Sequence, residues 1–90
     1  MKEELEKVLK QKIVVDTRSS WIYIGILEQV TSGCVVLSEV DVHDSGELRT
    51  TKELYVLDSK NTGIKSNRQL VYVNLDYIVS FSKLEDVKNF

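Results

Sequence analysis

Asp41, His43 and Asp44 lie close together near the middle of the chain, where a metal ion or a proton transfer could use them. On a β-strand, Asp41 and His43 would share one face because they are two residues apart. A zinc site usually has three or four protein ligands, and this segment offers no second histidine and no paired cysteine. The polar end of a strand explains these residues at least as well, so we expect no metal ion.

The single cysteine, Cys34, opens an apolar run that ends at Leu37. A reactive thiol needs a partner such as His43, whereas a cysteine in an apolar run is typically a small core residue. The sequence has no glycine-rich phosphate loop and no G-x-S-x-G nucleophile motif. We therefore expect a protein that is not an enzyme and that carries no cofactor.

Residues 59–69 form a basic segment without acidic side chains. It contains Lys60, Lys65 and Arg68, which could contact phosphate groups, although a solvated loop would have the same composition. Trp21 and Tyr23 are a second possible contact surface, since exposed aromatic rings stack on bases. Packing in the core or against another subunit is the competing interpretation for these two rings.

Length and composition restrict the class of protein. Ninety residues suffice for one domain, 1–90, and the apolar content of 42% with 29% charged residues is typical of a globular chain. The net charge of −2 gives no global attraction to nucleic acid. No apolar run approaches the ~20 residues that span a bilayer, and the charged N-terminus does not resemble a signal peptide. We expect a cytoplasmic protein.

Segments 12–42 and 70–84 contain short β-rich runs that alternate with polar turns, and we expect the strands of the domain to lie there. Strands are predicted to begin at Ile13, Trp21 and Cys34, and two more at 70–74 and 77–84. Gly25 inside the second strand predicts a strong bend. Strands in a meander with short turns favour a small barrel.

Helices are predicted at the N-terminus and between the third and fourth strands. Residues 2–11 place Leu5, Val8 and Leu9 on one face. Within the insertion 43–69, Thr50 and Glu53 fit a capping box for a helix over 51–61, and Gly63 fits its left-handed C-terminal residue. A strand at 53–57 is the alternative. Residues 85–90 are predicted to be a frayed terminus.

Two short motifs resemble the Sm/LSm family. Tyr23-x-Gly25-x-Leu27 is similar to the core of the first Sm motif, and residues 71–79 look like the second, an apolar pair followed by Ile78-Val79. The resemblance, to a divergent bacterial or phage-type Sm-like protein, covers roughly half the chain. It implies a mainly β, five-stranded barrel with an N-terminal helix and, here, a helical insertion between strands 3 and 4.

The positions that bind uridine in the family depart from its pattern. The Asp and Asn of the loop between strands two and three are replaced by Thr31-Ser32-Gly33, and the basic residue and glycine of the second motif by Asn74-Leu75. The sequence therefore does not predict the usual uridine pocket. The remaining candidates for RNA contact are Lys60, Lys65, Asn67, Arg68, Arg18 and Asn74.

The resemblance also implies a ring in which strand four of one subunit pairs with strand five of the next. Edge strands of an open barrel carry unpaired N–H and C=O groups, and head-to-tail pairing closes as a cyclic homo-oligomer. An edge covered by the inserted helix is the alternative. The candidate edge residues are Leu70, Val71, Tyr72, Val73, Ile78, Val79 and Phe81.

Two functions follow as expectations. The first is a ring that binds single-stranded RNA through the basic segment or the pore rim. The second is a protein-interaction or scaffolding ring without a nucleic-acid role, which the departures at the uridine positions favour.

Overall fold

The computed structural model describes residues 1–47 and 51–88 as a single antiparallel sheet with two helices. The strands are β1 (Lys12–Thr17), β2 (Trp21–Val30), β3 (Cys34–Asp44), β4 (Arg68–Asn74) and β5 (Ile78–Lys83). Helix α1 (Lys2–Glu6) precedes them, and α2 (Lys52–Thr62) lies between β3 and β4. The strand order is β4-β3-β2-β1-β5. The predicted five-stranded architecture with its two helices is therefore confirmed. Within the described ranges, no helix is long and apolar enough to span a membrane.

The sheet bends where Gly25 of β2 faces β3. The pairing register shifts between Ile24 and Ile26, and Glu39 on β3 adopts a left-handed backbone with φ 49°. A β-carbon on Gly25 would lie 3.0 Å from the Ser38 carbonyl oxygen and 3.1 Å from Cγ2 of Val40. Only a glycine lets the two backbones approach this closely, as the bend predicted at this position requires.

The inner face of the bent sheet holds the main core. Side chains from α1 and from all five strands meet there because alternate residues of each strand point inward. The buried members are Leu5, Val8, Ile13, Val15, Leu27, Val35, Leu37, Val40, Val73 and Ile78.

The outer face of β1 and β2 carries a second buried cluster, which we call the outer cluster. It comprises Val14, Ile22, Ile24, Val56 of α2 and Leu84 after β5, with Tyr55, Ile64 and Val87 packed against it. This cluster explains why residues 13–15 are continuously apolar: the strand is covered on both faces. The insertion is thus a second layer of the domain.

Helix α2 is confirmed within one residue of its predicted range, and the alternative of a strand at 53–57 is wrong. Its N-cap is Thr51, whose hydroxyl accepts a hydrogen bond from the Leu54 N–H at 3.2 Å. The capping box predicted from Thr50 is therefore displaced, and Thr50 itself lies outside the described residues. Gly63 ends the helix as predicted and has a positive φ of 96°, which favours glycine, but its ψ of 160° places it outside the left-handed helical region.

Both termini differ from their predictions. Helix α1 stops at Glu6 rather than continuing to residue 11, because Lys10 turns back with φ 67° and donates its N–H to the Leu27 carbonyl. Leu9 is consequently exposed. After β5, the chain does not fray at residues 85–88: Val87 packs against the outer cluster, and the Lys60 ammonium donates to its carbonyl.

Candidate nucleic-acid interface

The residues predicted to contact RNA separate into two groups. Lys60 and Lys65 lie near the C-terminal end of α2, where each lines a different cleft. Arg68 begins β4 opposite Val40. Arg18 lies far from these in the chain and belongs to the turn between β1 and β2, where its N–H donates to the Tyr77 carbonyl at 2.9 Å. The six candidates therefore do not form one patch.

The two asparagines among these candidates support the backbone. Asn67 accepts from the Val42 N–H at 3.0 Å and donates to the Val42 carbonyl at 2.9 Å, so its side chain extends the pairing of β3. Asn74 caps the turn Leu75–Tyr77 by accepting from the Asp76 N–H at 2.9 Å. The amide of Asn67 has both polar atoms engaged, whereas Asn74 keeps its Nδ2 group free of any partner among the described residues.

A groove of about 410 Å³ lies where the β1–β2 turn meets the corner between β4 and β5. We call it the tyrosine groove because three of its lining residues are tyrosines. They contribute aromatic surface beside two hydroxyl-bearing turn residues and one amide. The lining residues are Thr17, Ser19, Tyr23, Tyr72, Val73, Asn74 and Tyr77. The structure therefore brings one of the six candidates, Asn74, to the groove lining. Arg18 belongs to the adjacent turn, where its backbone N–H is bonded to the Tyr77 carbonyl.

The loops that correspond to the family's uridine pocket are also adjacent. The Leu75 N–H donates to the Gly33 carbonyl at 3.0 Å, which joins the β4–β5 corner to the turn between β2 and β3. That turn is closed by Thr31, whose hydroxyl accepts from the N–H groups of Gly33 and Cys34. No charged side chain belongs to residues 31–34 or to Asn74 and Leu75. The corner thus joins the two segments to which the resemblance assigns the family's uridine contacts, and it carries no charged side chain.

The outer strands of the sheet each have one unpaired side. β4 pairs with β3 and β5 pairs with β1, and neither has a second neighbour within the part of the chain described. Leu70 and Tyr72 on β4 are 49% and 65% exposed, and Val79 on β5 is 58% exposed. By contrast, Val73 and Ile78 are buried in the main core and Val71 and Phe81 are half-buried beside it. The predicted edge set therefore divides into inward-facing and exposed residues.

The acidic residue and histidine of β3 form a polar cluster with α2. His43 Nδ1 lies 2.5 Å from Oδ1 of the buried Asp41 and 2.7 Å from the Tyr55 hydroxyl, which itself donates to Asp41. Burial, together with the bond to Asp41, raises the pKa of Tyr55 well above its usual value near 10. The cluster fixes α2 to the sheet. The described residues contain no group of three metal-ligating side chains, and Asp44 hydrogen-bonds within its own turn.

The burial of Trp21, Tyr23 and Cys34 can be compared with the roles predicted for them. Trp21 is 44% exposed in the single chain, so it is not part of the core. Tyr23 is half-buried against the main core, and Cys34 is half-buried with its sulfur 3.3 Å from the Thr31 hydroxyl. Sequence reasoning missed the groove because it treated Tyr72 only as an edge residue. One sequence signal could have indicated the groove: Tyr72 and Asn74 alternate with Val71 and Val73, so they lie on the face of β4 that points away from the core.

Comparisons with known proteins give matches only at the level of structure. No protein-family model and no curated protein matches the sequence. An Sm protein of Pyrococcus abyssii, solved in complex with a uridine heptamer, has 13% identity and a TM-score of 0.62 over 90% of this chain and 93% of that chain. A novel Sm-like archaeal protein from Pyrobaculum aerophilum has 17% identity and a TM-score of 0.60 over 92% of this chain and 50% of that one.

A third similar structure is a chain of the NatC complex bound to CoA. It has 15% identity and a TM-score of 0.58, over 93% of this chain and 94% of that chain. At such identities, the agreement concerns the path of the backbone and not the ligand. Together with the strand order, the bend at Gly25 and the N-terminal helix, these similarities establish that the chain has the Sm-like fold.

Proposed function

We propose that the chain forms a closed ring by pairing β4 of one subunit with β5 of the next, and that the ring binds single-stranded RNA. The observation that carries the proposal is the pair of open strand edges with exposed apolar side chains. The role is one of binding rather than catalysis.

The chemistry of the two edges supports strand pairing between copies. Leu70, Tyr72 and Val79 expose roughly half or more of their surface beside backbone groups that have no strand partner. Soluble proteins commonly protect such edges with lysine, proline or a covering element. Here Leu70–Asn74 contains neither lysine nor proline. An edge of this kind is suited to strand addition, in which main-chain bonds supply affinity.

The position of α2 supports the proposal over the alternative that the helix covers the β4 edge. Val56 packs with Val14, Ile22 and Ile24 on the outer face of β1 and β2. Tyr55 is held by Asp41 and His43 of β3. Leu70 and Tyr72 of β4 are exposed, which supports an edge that α2 does not cover. Pairing of two different edges is heterologous, and it closes as a ring when the rotation per subunit permits.

Support for RNA as the ligand comes from the fold and from local charge. The structurally similar Sm protein was solved with a uridine heptamer. This chain has a net charge of −2, so attraction to phosphates must come from local groups such as Lys65, Arg68 and Arg18. In a ring, each such group repeats once per subunit, and weak contacts gain avidity.

Native mass spectrometry of the protein as purified, without nuclease treatment, tests both parts. We expect a closed oligomer with additional mass that RNase removes. Leu70→Lys and Val79→Lys each put a charge on one edge and should yield folded monomers, whereas Leu54→Lys, at a 44% exposed position on α2, should leave the oligomer intact. A monomeric wild type would contradict the ring. An oligomer that binds no RNA, added or copurified, would contradict the ligand.

A second candidate function is a protein-interaction ring without RNA. The uncharged corner formed by residues 31–34 and Asn74-Leu75 favours it, as does the similarity to a chain of the multiprotein NatC complex. Affinity purification would distinguish the two functions. Recovery of one specific protein partner, with no nucleic acid in the complex, would favour this alternative.

A further inference from the structure

We infer that the tyrosine groove is a base-binding subsite, in which a nucleobase of single-stranded RNA stacks on tyrosine rings beside Arg18. This inference rests on the RNA-binding function proposed above and identifies where that binding occurs. The groove shares Asn74 with the positions at which the resemblance to the Sm family would locate the base, but its tyrosine rings lie outside the turn 31–33.

The first argument is the concentration of aromatic surface. Tyr23, Tyr72 and Tyr77 line one groove of about 410 Å³, a volume within the range of small-ligand sites. Tyr72 and Tyr77 are 65% and 59% exposed, so their rings are not used by the core. Exposed rings that converge on a concave surface provide stacking platforms for bases of any sequence.

The second argument is the set of hydrogen-bonding groups that the fold leaves unused. Among the described residues, the hydroxyl groups of Tyr23, Tyr72 and Tyr77 have no hydrogen-bond partner, and neither does Nδ2 of Asn74. Asn74 is nevertheless held in place, because its Oδ1 accepts from the Asp76 N–H at 2.9 Å. A fixed amide N–H and phenolic hydroxyls can pair with the donor and acceptor atoms at the edge of an unstacked base.

The third argument is electrostatic. None of the seven lining residues carries a carboxylate, although the chain as a whole is acidic. Arg18 lies in the turn between the lining residues Thr17 and Ser19, and its backbone N–H is bonded to the carbonyl of Tyr77 across the groove. The nearest cationic residue in the sequence of this wall is thus Arg18, and a guanidinium has the chemistry that binds the phosphate of a nucleotide.

The subsite is compatible with ring formation because the two use different groups. Pairing of β4 with a neighbouring strand uses backbone N–H and C=O groups in the plane of the sheet. The side chains of Tyr72 and Asn74 alternate with the inward-facing Val71 and Val73, so they project from the outer face of β4.

Photocrosslinking on the unmodified protein tests the inference without a variant. The probe is an oligouridine heptamer containing 4-thiouridine, and its binding is first measured by fluorescence anisotropy. After trypsin digestion, residues 69–83 form one peptide that contains Tyr72 and Tyr77. We expect crosslinks in this peptide, localised by fragmentation to either tyrosine. Crosslinks confined to residues 61–68, or to residues 31–34, would overturn the inference while leaving RNA binding in place.

Variants supply an independent measurement. Tyr77→Ala should weaken binding of the heptamer by roughly 5- to 150-fold, the loss expected for one base–aromatic stack. Tyr77→Phe should retain most of the affinity because it keeps the ring, and Leu54→Ala is the control for loss of an exposed apolar side chain. Equal affinities of Tyr77→Ala and Leu54→Ala would refute the subsite. Failure of the wild type to bind the heptamer at all would refute the proposed function itself.

Discussion

Replacement of Gly25 by alanine is a direct test of how the sheet closes. The added β-carbon would meet the Ser38 carbonyl oxygen at 3.0 Å, Cγ2 of Val40 at 3.1 Å and Cα of Val40 at 3.3 Å. Two of these three atoms are backbone, so a side-chain rotation cannot relieve the contacts and β3 must move. Overpacking of this kind costs about 1–3 kcal/mol.

Gly33→Ala is the matched control. Nothing lies within 4 Å of the position of its β-carbon, and the backbone of Gly33 does not have a positive φ. Alanine there should change the free energy of unfolding little or raise it by up to about 1 kcal/mol, because it restricts the unfolded chain. The two variants differ by the same single methyl group, so any difference between them reports the local contacts.

Urea unfolding, followed by the fluorescence of the single Trp21 and by circular dichroism, measures the effect. The measurement should be made with Leu70→Lys as the common background, because oligomerisation would add its own stabilisation. For a domain of this size, each 1 kcal/mol corresponds to about 4–8 °C in Tm. If Gly25→Ala is as stable as Gly33→Ala, the close approach of β2 and β3 is not what requires the glycine.

Three further perturbations test other parts of the structure. Glu39→Gly should raise the free energy of unfolding by up to about 1 kcal/mol, since φ 49° is unfavourable for a residue with a β-carbon; a lower urea midpoint would contradict this. Thr51→Ala should lower the free energy of unfolding by about 0.5–2 kcal/mol, because the N-cap hydrogen bond of α2 is lost. Urea unfolding measures this change, and an unchanged midpoint would contradict the prediction. The pKa of Tyr55 is raised in the folded state, so the folded protein keeps this phenol neutral. The contribution of Tyr55 to the free energy of unfolding is therefore fully present below pH 10 and is lost as the pH rises further. Absorbance titration at alkaline pH should show one late-ionising tyrosine that is missing in Tyr55→Phe; identical late phases in both proteins would refute the assignment.

Local pattern determined most of the barrel. Short β-rich runs separated by polar turns placed all five strands, either as an alternation of apolar and polar residues or, in β1, as a continuous apolar run that is covered on both faces. Gly25 was recognisable as a bend for the same kind of local reason. Gly63 likewise marked the end of α2, whereas the sequence pattern favoured Thr50, and not Thr51, as the residue that caps its start.

Tertiary contacts decided what the sequence pattern could not distinguish. A polar or charged side chain can bind a ligand or bond to another part of the same chain, and its residue type does not reveal which of the two it does. Asn67 was a plausible RNA contact until its amide was found paired with the backbone of Val42. Tyr55 gave no signal beyond helix periodicity, yet it joins Asp41 and His43 through bonds that span more than ten residues of chain.

The sequence by itself determined which segments form the five strands and where the sheet must bend, since these depend on neighbours a few residues away. It favoured a helix over 51–61 but left a strand at 53–57 open. Only the tertiary structure decided that α2 and residues 84–87 cover the outer face, and that β4 and β5 each lack a second strand neighbour among the described residues. It also brought Asn74 and three tyrosines to one groove, next to the turn that carries Arg18. The physical reason is that burial and proximity are properties of pairs of distant segments. Their energies depend on a docking geometry that no local pattern of residues encodes.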